Sequence, residues 1–225
     1  MKGLILKDLY SVRFSLICSS LLMLIPGGFM MLLGGGFFTG GESALIRDSA
    51  AIAFGMGNFS MICMLSPLAL STLTSDKTSR WSLIQRAMPV NGKQIALSKL
   101  ILCYIVIGIL TVFALLVNCF ALIYGYSAEV LVMMPICIAL IEVMIISPVI
   151  PLSFKLGIKI ANYIHLAMIF LVLGVLSLVF LASMLLPNAA VFIRIFAYGI
   201  LPVAAVAVAY ASYKSAGRYY SADIT

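Results

Sequence analysis

The sequence predicts an all-α, polytopic membrane protein with six transmembrane helices. Hydrophobic residues make up 64% of the chain and charged residues 9%, and the mean hydropathy is +1.22. A bilayer core about 30 Å thick requires about 20 apolar residues per helix. The chain has six such runs, and they are continuous, whereas membrane β-strands alternate in polarity. The predicted spans are residues 14–33, 51–73, 100–124, 130–150, 164–186 and 191–210, and residues 1–225 are expected to form one domain.

The positive charges predict the orientation of these spans. All 14 Lys and Arg residues except Arg47 and Arg194 fall at the termini or in the loops on one side of the membrane. The opposite loops also carry Glu42, Asp48 and Glu129. Because Lys and Arg accumulate in cytoplasmic loops, both termini are predicted to be cytoplasmic. This topology, together with anionic headgroups, explains the net charge of +7 without a nucleic-acid partner.

Residues 1–13 are predicted to form a separate interfacial helix that precedes the first span. One broad face of that helix holds its large side chains: Met1, Ile5, Leu6, Leu9, Tyr10 and Val12. The other face holds Gly3, Lys7, Asp8 and Ser11. A polar leader with a few leucines is the alternative interpretation. Within the first span, Pro26-Gly27-Gly28 predicts a kink or a break.

The longest segment on the predicted cytoplasmic side covers residues 76–99. Residues that could cap a short helix there are Asp76, Thr78 and Ser79. Pro89 would end that helix, and Asn91-Gly92 predicts a turn before the third span. The helix would expose Trp81 between two arginines, and Trp and Arg are enriched in protein interfaces. The alternative is that Trp81 anchors the segment among lipid headgroups.

Few polar residues fall within the predicted spans, and they do not suggest a catalytic or metal-binding site. Glu142 is costly at mid-membrane, so it either attracts a cationic part of a substrate or makes a protonated or hydrogen-bonded contact between helices or subunits. Asn118 is placed on the same path, although an interhelical contact explains it better. His165 is not expected to act as a ligand or base. One Glu and one His in different spans do not form an enzyme's catalytic site, and no metal site is predicted.

The sequence also lacks an ATP-binding loop and paired cysteines. A Walker A loop requires Gly, four residues and then Gly-Lys-Ser/Thr, but Gln94 follows Gly92-Lys93 and Ala87 occupies the first Gly position. No cofactor is therefore expected to bind this chain directly. The five cysteines all lie in predicted spans without metal or redox spacing, so they are interpreted as packing residues.

Residues 76–99 resemble the cytoplasmic loop of membrane subunits of bacterial ATP-binding-cassette exporters of the type 2 permease class. The resemblance rests on Asp76, Trp81 and Pro89, on the string PVNGKQIALSK over residues 89–99, and on the opening MKGLILKDLY. The chain looks most like the small permeases of exporters of phenol-soluble modulins and other antimicrobial or amphipathic peptides.

That resemblance implies a coupling helix between spans 2 and 3 that docks in a separate cytoplasmic ATPase, which would bind ATP and Mg. The implied ATPase-binding residues are Asp76, Arg80, Trp81, Leu83, Ile84, Arg86 and Pro89. It also implies a multi-pass protein of the bacterial cell membrane, paired with a second permease copy as a homodimer or with a sister permease. Residues 187–194 are a candidate re-entrant segment. An ATP-independent transporter or an immunity membrane protein remains the alternative.

Overall fold

The computed structural model describes residues 2–34, 57–59, 62–63, 66–78, 92–121, 128–185 and 194–222, and these are almost entirely helical, as the sequence predicts. The helices are α1 (Lys2–Gly34), α2 (Leu68–Thr78), α3 (Gly92–Ala121), α4 (Ala128–Leu156), α5 (Ile158–Leu185) and α6 (Leu201–Ala222). A π-helical turn, Phe196–Ile200, leads into α6.

Within the described residues, four helices are long and apolar enough to cross a bilayer. They are Lys93–Cys119, Leu131–Leu156, Ile158–Val175 and Phe196–Ala216. These correspond to the third to sixth predicted spans. The first predicted span lies within α1, and much of the second lies outside the described residues. The total of six spans therefore stays a prediction.

Helix α1 differs from the expected interfacial helix followed by a separate span. It is continuous over 33 residues, with no interruption near Arg13 and none at Pro26. Residues 9–16 contain neither Gly nor Pro, so nothing ends the helix there. A proline is tolerated inside a membrane helix because neighbouring groups can satisfy the backbone carbonyl that it leaves free.

The orientation of α1 is also different from the expectation. Asp8 and Val12 are each only 2% exposed, whereas Leu6 and Phe14 are 70% and 74% exposed. The predicted polar face had placed Asp8 toward water, as for a helix lying on a membrane surface. Instead Asp8 faces the other helices, where it has cationic partners, and apolar side chains form the outer face, as suits contact with lipid.

Helix α4 lies at the centre of the packing, in contact with α3, α5 and α6, while α3 also contacts α1 and α2. Fully buried side chains of α3 and α4, among them Val106, Leu110, Ile145 and Ile146, form the core. This arrangement places the middle of α4, including Glu142, away from the outer surface of the bundle.

A single non-helical residue, Gly157, joins α4 to α5. Its φ of 89° lies in the left-handed region that residues with a Cβ rarely adopt. Its carbonyl accepts a hydrogen bond from the Ala161 N–H at 3.1 Å, which starts the new helix. Helix α5 thus begins at Ile158, before the predicted span boundary at residue 164.

Candidate functional site: a charged cluster and a carboxyl cluster

Four charged side chains from three helices meet at one end of the bundle. Lys99 Nζ of α3 lies 2.7 Å from Asp8 Oδ2 of α1 and 2.5 Å from Asp76 Oδ2 of α2. Lys7 Nζ contacts Asp76 Oδ1 and lies 3.5 Å from Asp8 Oδ1. Thr72, one helical turn before Asp76, accepts a hydrogen bond from Lys99 Nζ at 3.4 Å. We call Lys7, Asp8, Asp76 and Lys99 the four-charge cluster.

The four-charge cluster is electrically balanced and mostly buried. The side chains of Asp8 and Lys99 are 3% exposed, that of Asp76 is 9% exposed, and only Lys7 reaches the surface appreciably. Two lysines and two aspartates give no net charge. Buried charges are tolerated when each is paired, and removal of one partner leaves the other uncompensated. Removal of one buried charge of the cluster is therefore expected to destabilise the folded protein.

The four-charge cluster joins the two ends of residues 76–99, the segment that the sequence predicts to bind an ATPase. Asp76 and Lys99 stand at the two ends of that segment, and their ion pair holds those ends together. Asp8 and Lys7 attach the same point to α1. The other predicted ATPase-binding residues lie outside the described residues: Arg80, Trp81, Leu83, Ile84, Arg86 and Pro89.

Asp76 is placed differently from the sequence-based expectation. It lies in the last turns of α2, as does Thr78. The short helix that they were expected to cap lies outside the described residues. The Asp76 carboxylate faces Lys7 and Lys99 rather than an open surface. Both residues lie within α2 because that helix extends beyond the predicted end of the second span at residue 73 and reaches Thr78.

A second polar group lies inside the predicted membrane region. Glu142 Oε1 of α4 lies 2.8 Å from His165 Nε2 of α5 and accepts a hydrogen bond from the Ser66 hydroxyl group. Ser66 lies beside Pro67, whose carbonyl accepts the first hydrogen bonds of α2. The thiol of Cys63 is adjacent to the same carboxyl group. We call Ser66, Glu142 and His165 the carboxyl cluster.

The carboxyl cluster is closed in this conformation. Glu142 and Ser66 are 0% exposed, and His165 is 3% exposed. Glu142 Oε2 has no hydrogen-bond partner among the described residues. The carboxyl group therefore does not face an open cavity here, and any contact with a substrate would require the surrounding helices to separate.

The geometry of the carboxyl cluster is not that of a nucleophilic triad. Ser66 and His165 both bond to Glu142 Oε1, and Ser66 also donates to the Cys63 carbonyl oxygen. In a triad, the imidazole accepts the serine proton and the acid orients the imidazole. Here the hydroxyl group is bonded to the acid and not to the imidazole, which is a different arrangement. Among the described residues, no three metal-ligating side chains come together either.

Sequence reasoning assigned no role to His165 or Ser66. His165 and Glu142 are 23 residues apart on separate helices, and Ser66 is 76 residues from Glu142, so no local spacing connects them. The sequence does carry one relevant signal. An acidic residue within a span requires polar partners from other spans, because lipid offers none.

Asn118 makes a contact between α3 and α4. Its Nδ2 donates to the Leu131 carbonyl oxygen at 2.8 Å, and its side chain is buried. In an α-helix that carbonyl would accept from the N–H of residue 135, but Pro135 has none. Asn118 thus supplies the donor that the proline removes.

Comparison with known proteins identifies the family. The profile described as ABC-2 family transporter protein matches residues 3–221. No curated protein and no solved structure gives a significant match. The matched region contains both clusters and all the described helices apart from their outermost residues. The chain therefore belongs to the ABC-2 family of transporter proteins, whose members are membrane components of transporters and not themselves catalytic.

Proposed function

We propose that this chain is the membrane-spanning permease subunit of an ATP-driven exporter in a bacterial cell membrane, with both termini in the cytoplasm. The observation that carries the proposal is the family match over residues 3–221. Since the chain has no Walker A loop, ATP and Mg would bind a separate cytoplasmic ATPase. Conformational change must then pass to the permease through direct contact.

The proposed contact is the 76–99 segment, with Trp81, Leu83 and Ile84 in a groove of the ATPase and Arg80 and Arg86 at its rim. The four-charge cluster supports this assignment. It links both ends of the segment to each other and to α1, so a displacement of the segment would reach α1, α2 and α3 together. Asp76 would act by positioning the segment, because its carboxylate is occupied by Lys7 and Lys99.

The proposed substrate is an amphipathic or antimicrobial peptide, or a similar hydrophobic compound. The resemblance of residues 76–99 and of the opening decapeptide to small peptide-exporting permeases supports this class. A membrane path with few charged groups also suits such a substrate. Glu142 and Asn118 are proposed to reach that path only after the helices separate, because both are buried in this conformation.

Two permease copies are expected in the exporter. Six spans are half of the number usual for such a transporter, so a second copy of this chain or a sister permease would complete the path. The exposed apolar faces of α1 and α6, which include Phe14 and Val203, provide surface for lipid or for that second subunit.

Purification and reconstitution would test the proposal. The tagged permease is purified from its native host in mild detergent, and co-purifying proteins are identified. The complex is then placed in vesicles containing a fluorescent amphipathic peptide. We expect a co-purified ATPase and peptide movement that requires ATP hydrolysis. The matched control carries a substitution of the ATPase's own Walker A lysine and should not move peptide. Movement by the permease alone would contradict the proposal.

A further inference from the structure

Helix α2 has a polar attachment at each of its ends. Ser66, two residues before the helix begins, donates a hydrogen bond to Glu142 Oε1 of α4. Asp76, two residues before the helix ends, lies 2.5 Å from Lys99 Nζ of α3 and also contacts Lys7 of α1. The helix therefore stands between the carboxyl cluster and the four-charge cluster.

Helix α2 is short, and Pro67 separates it from the chain that precedes it. An α-helix rises about 1.5 Å per residue, so the 11 residues of α2 extend over about 16 Å. Pro67 has no N–H to donate, and its carbonyl accepts the first hydrogen bonds of α2, from the N–H groups of Leu70 and Ser71. Neither Gly nor Pro interrupts residues 68–78. A displacement at one end of α2 is therefore expected to move the other end.

Ser66 is the part of the carboxyl cluster that α2 can disturb. Glu142 and His165 lie on α4 and α5, which a single residue joins. Ser66 reaches Glu142 from the segment that leads into α2. All three side chains are at most 3% exposed. Withdrawal of Ser66 would remove one donor from Glu142 Oε1 and open that side of the cluster.

We propose that α2 is a rigid connector between the two clusters, so that release of Asp76 from its lysines withdraws Ser66 from Glu142 and opens the carboxyl cluster. In this conformation the ion pairs of Asp76 hold α2 where Ser66 closes the carboxyl cluster. Asp76 and Ser66 are thus positioning residues at opposite ends of one helix. The connection is a property of the permease alone, whereas its use in export rests on the proposed function.

Helix α3 passes both clusters and offers the alternative route. Cys103, one turn after Lys99 on α3, lies within reach of charges of both clusters. Cys63 lies beside Glu142, and its carbonyl oxygen accepts a hydrogen bond from the Ser66 hydroxyl group at 3.2 Å. Both thiols belong to residues that are at most 2% exposed. A displacement carried by α3 would loosen the surroundings of Cys103 first, whereas one carried by α2 would loosen those of Cys63.

The test is the rate at which each thiol reacts with a maleimide in the purified, detergent-solubilised permease, with no ATPase present. Two versions of the chain keep only Cys63 or only Cys103, and alanine replaces the other native cysteines. Buried thiols are inert, so the rate reports opening of the surroundings. Asp76→Asn releases the end of α2. Asp8→Asn is the matched control, because it removes a carboxylate from the same cluster but from α1.

Asp76→Asn should raise the reaction rate of Cys63 roughly tenfold or more. A tenfold change corresponds to about 1.4 kcal/mol, which is less than the usual cost of breaking a buried ion pair. The rate of Cys103 should rise by a smaller factor, although Cys103 is next to the substituted cluster. Asp8→Asn should affect Cys63 less than Asp76→Asn does. An unchanged Cys63 rate, equal effects of the two substitutions on Cys63, or a larger rise at Cys103 would overturn the proposal.

A double variant tests whether the effect passes through Ser66. Ser66→Ala alone should raise the Cys63 rate, because it removes the hydrogen bond that closes the carboxyl cluster. Asp76→Asn should then add little, because α2 no longer holds the cluster. Substitutions at distant sites usually act independently, so two full factors that multiply would contradict the connection.

A milder variant keeps the test decisive if Asp76→Asn or Asp8→Asn does not fold. Lys7→Gln removes one of the two cations that contact Asp76, at a side chain that is already 35% exposed. It should raise the ratio of the Cys63 rate to the Cys103 rate, and an unchanged ratio would overturn the proposal. No ATPase takes part in these measurements, so a failure of the proposed function would leave their outcome unaffected.

Discussion

Asp76 lies near the end of α2 and Lys99 lies in the second turn of α3, at the two ends of the 76–99 segment, and their Oδ2 and Nζ atoms are 2.5 Å apart. Lys99 also lies 2.7 Å from Asp8 Oδ2 of α1. One buried ammonium group thus connects the amino-terminal helix with both ends of the proposed coupling segment. The structural importance of this relationship can be measured without an ATPase.

The first prediction concerns Lys99. Lys99→Met removes one cation and leaves two buried aspartates with only Lys7, so the folded protein should lose about 3–5 kcal/mol of stability. Thermal unfolding in detergent would measure the loss. Lys159→Met, at an exposed position of α5, is the matched control and should change stability little. Lys99→Met/Asp76→Asn restores the balance of charge and should recover part of the loss. Equal thermal unfolding midpoints for Lys99→Met and Lys159→Met would show that the four-charge cluster contributes nothing to stability.

The second prediction concerns the donor that Asn118 supplies to the Leu131 carbonyl. Asn118→Leu should destabilise the protein by about 1–2 kcal/mol, in the range of interhelical hydrogen bonds in membranes. In a Pro135→Ala background the new N–H can bond the same carbonyl, so the effect of Asn118→Leu should shrink. A double-mutant cycle on thermal unfolding measures this coupling. Additive effects would mean that Asn118 does not compensate for the proline.

The third prediction concerns the junction between α4 and α5. Gly157→Ala should destabilise the protein by about 1–2 kcal/mol, because an alanine at a φ of 89° is strained. An added Cβ would meet no atom within 4 Å, so any loss reports on the backbone alone. Gly108 of α3 also has room for a Cβ, but its backbone is helical. Gly108→Ala should therefore be neutral or stabilising by up to about 1 kcal/mol. If both substitutions had the same effect, the left-handed conformation would not be required.

The sequence predicted a helical membrane protein because the signal for such helices is local. Four described helices are long and apolar enough to cross a bilayer, and they overlap the third to sixth predicted spans with shifted ends, as at Gly157. The two clusters could not be predicted in the same way. Lys7 pairs with Asp76 across 69 residues, and Lys99 pairs with Asp76 across 23. Such contacts depend on how helices pack, which a hydropathy pattern does not specify.

The orientation of α1 differs from the expectation for a related reason. Amphipathic periodicity assigns polar residues to water, so Lys7 and Asp8 were placed on an outer face. In a membrane protein a carboxylate can instead face the bundle when a cation from another helix is available, as Lys99 is for Asp8. The outer face then includes large apolar side chains such as Leu6 and Phe14, as suits contact with lipid, whereas a soluble amphipathic helix would turn such side chains inward.

The fourth prediction concerns orientation. In a variant lacking the five native cysteines, single cysteines at Ser43 and Ser127 should react with a membrane-impermeant thiol reagent added outside intact cells. Cysteines at Ser79 and Lys155 should react only after the cells are opened. The distribution of Lys and Arg is the physical basis. External reaction at residue 79 would place the 76–99 segment beyond the reach of a cytoplasmic ATPase.

The most direct test of the central claim is the affinity of the permease for its co-purified ATPase, measured for wild type, Trp81→Ala and Arg86→Ala. Loss of a buried aromatic anchor commonly costs about 2 kcal/mol or more, whereas rim charges mainly affect association. Trp81→Ala should therefore weaken binding roughly thirtyfold, while Arg86→Ala should have a smaller effect that decreases with salt. Both variants should insert normally, as judged by their yield in membranes. Wild-type affinity in Trp81→Ala, or a defect in membrane insertion alone, would contradict docking through the 76–99 segment and favour a headgroup anchor.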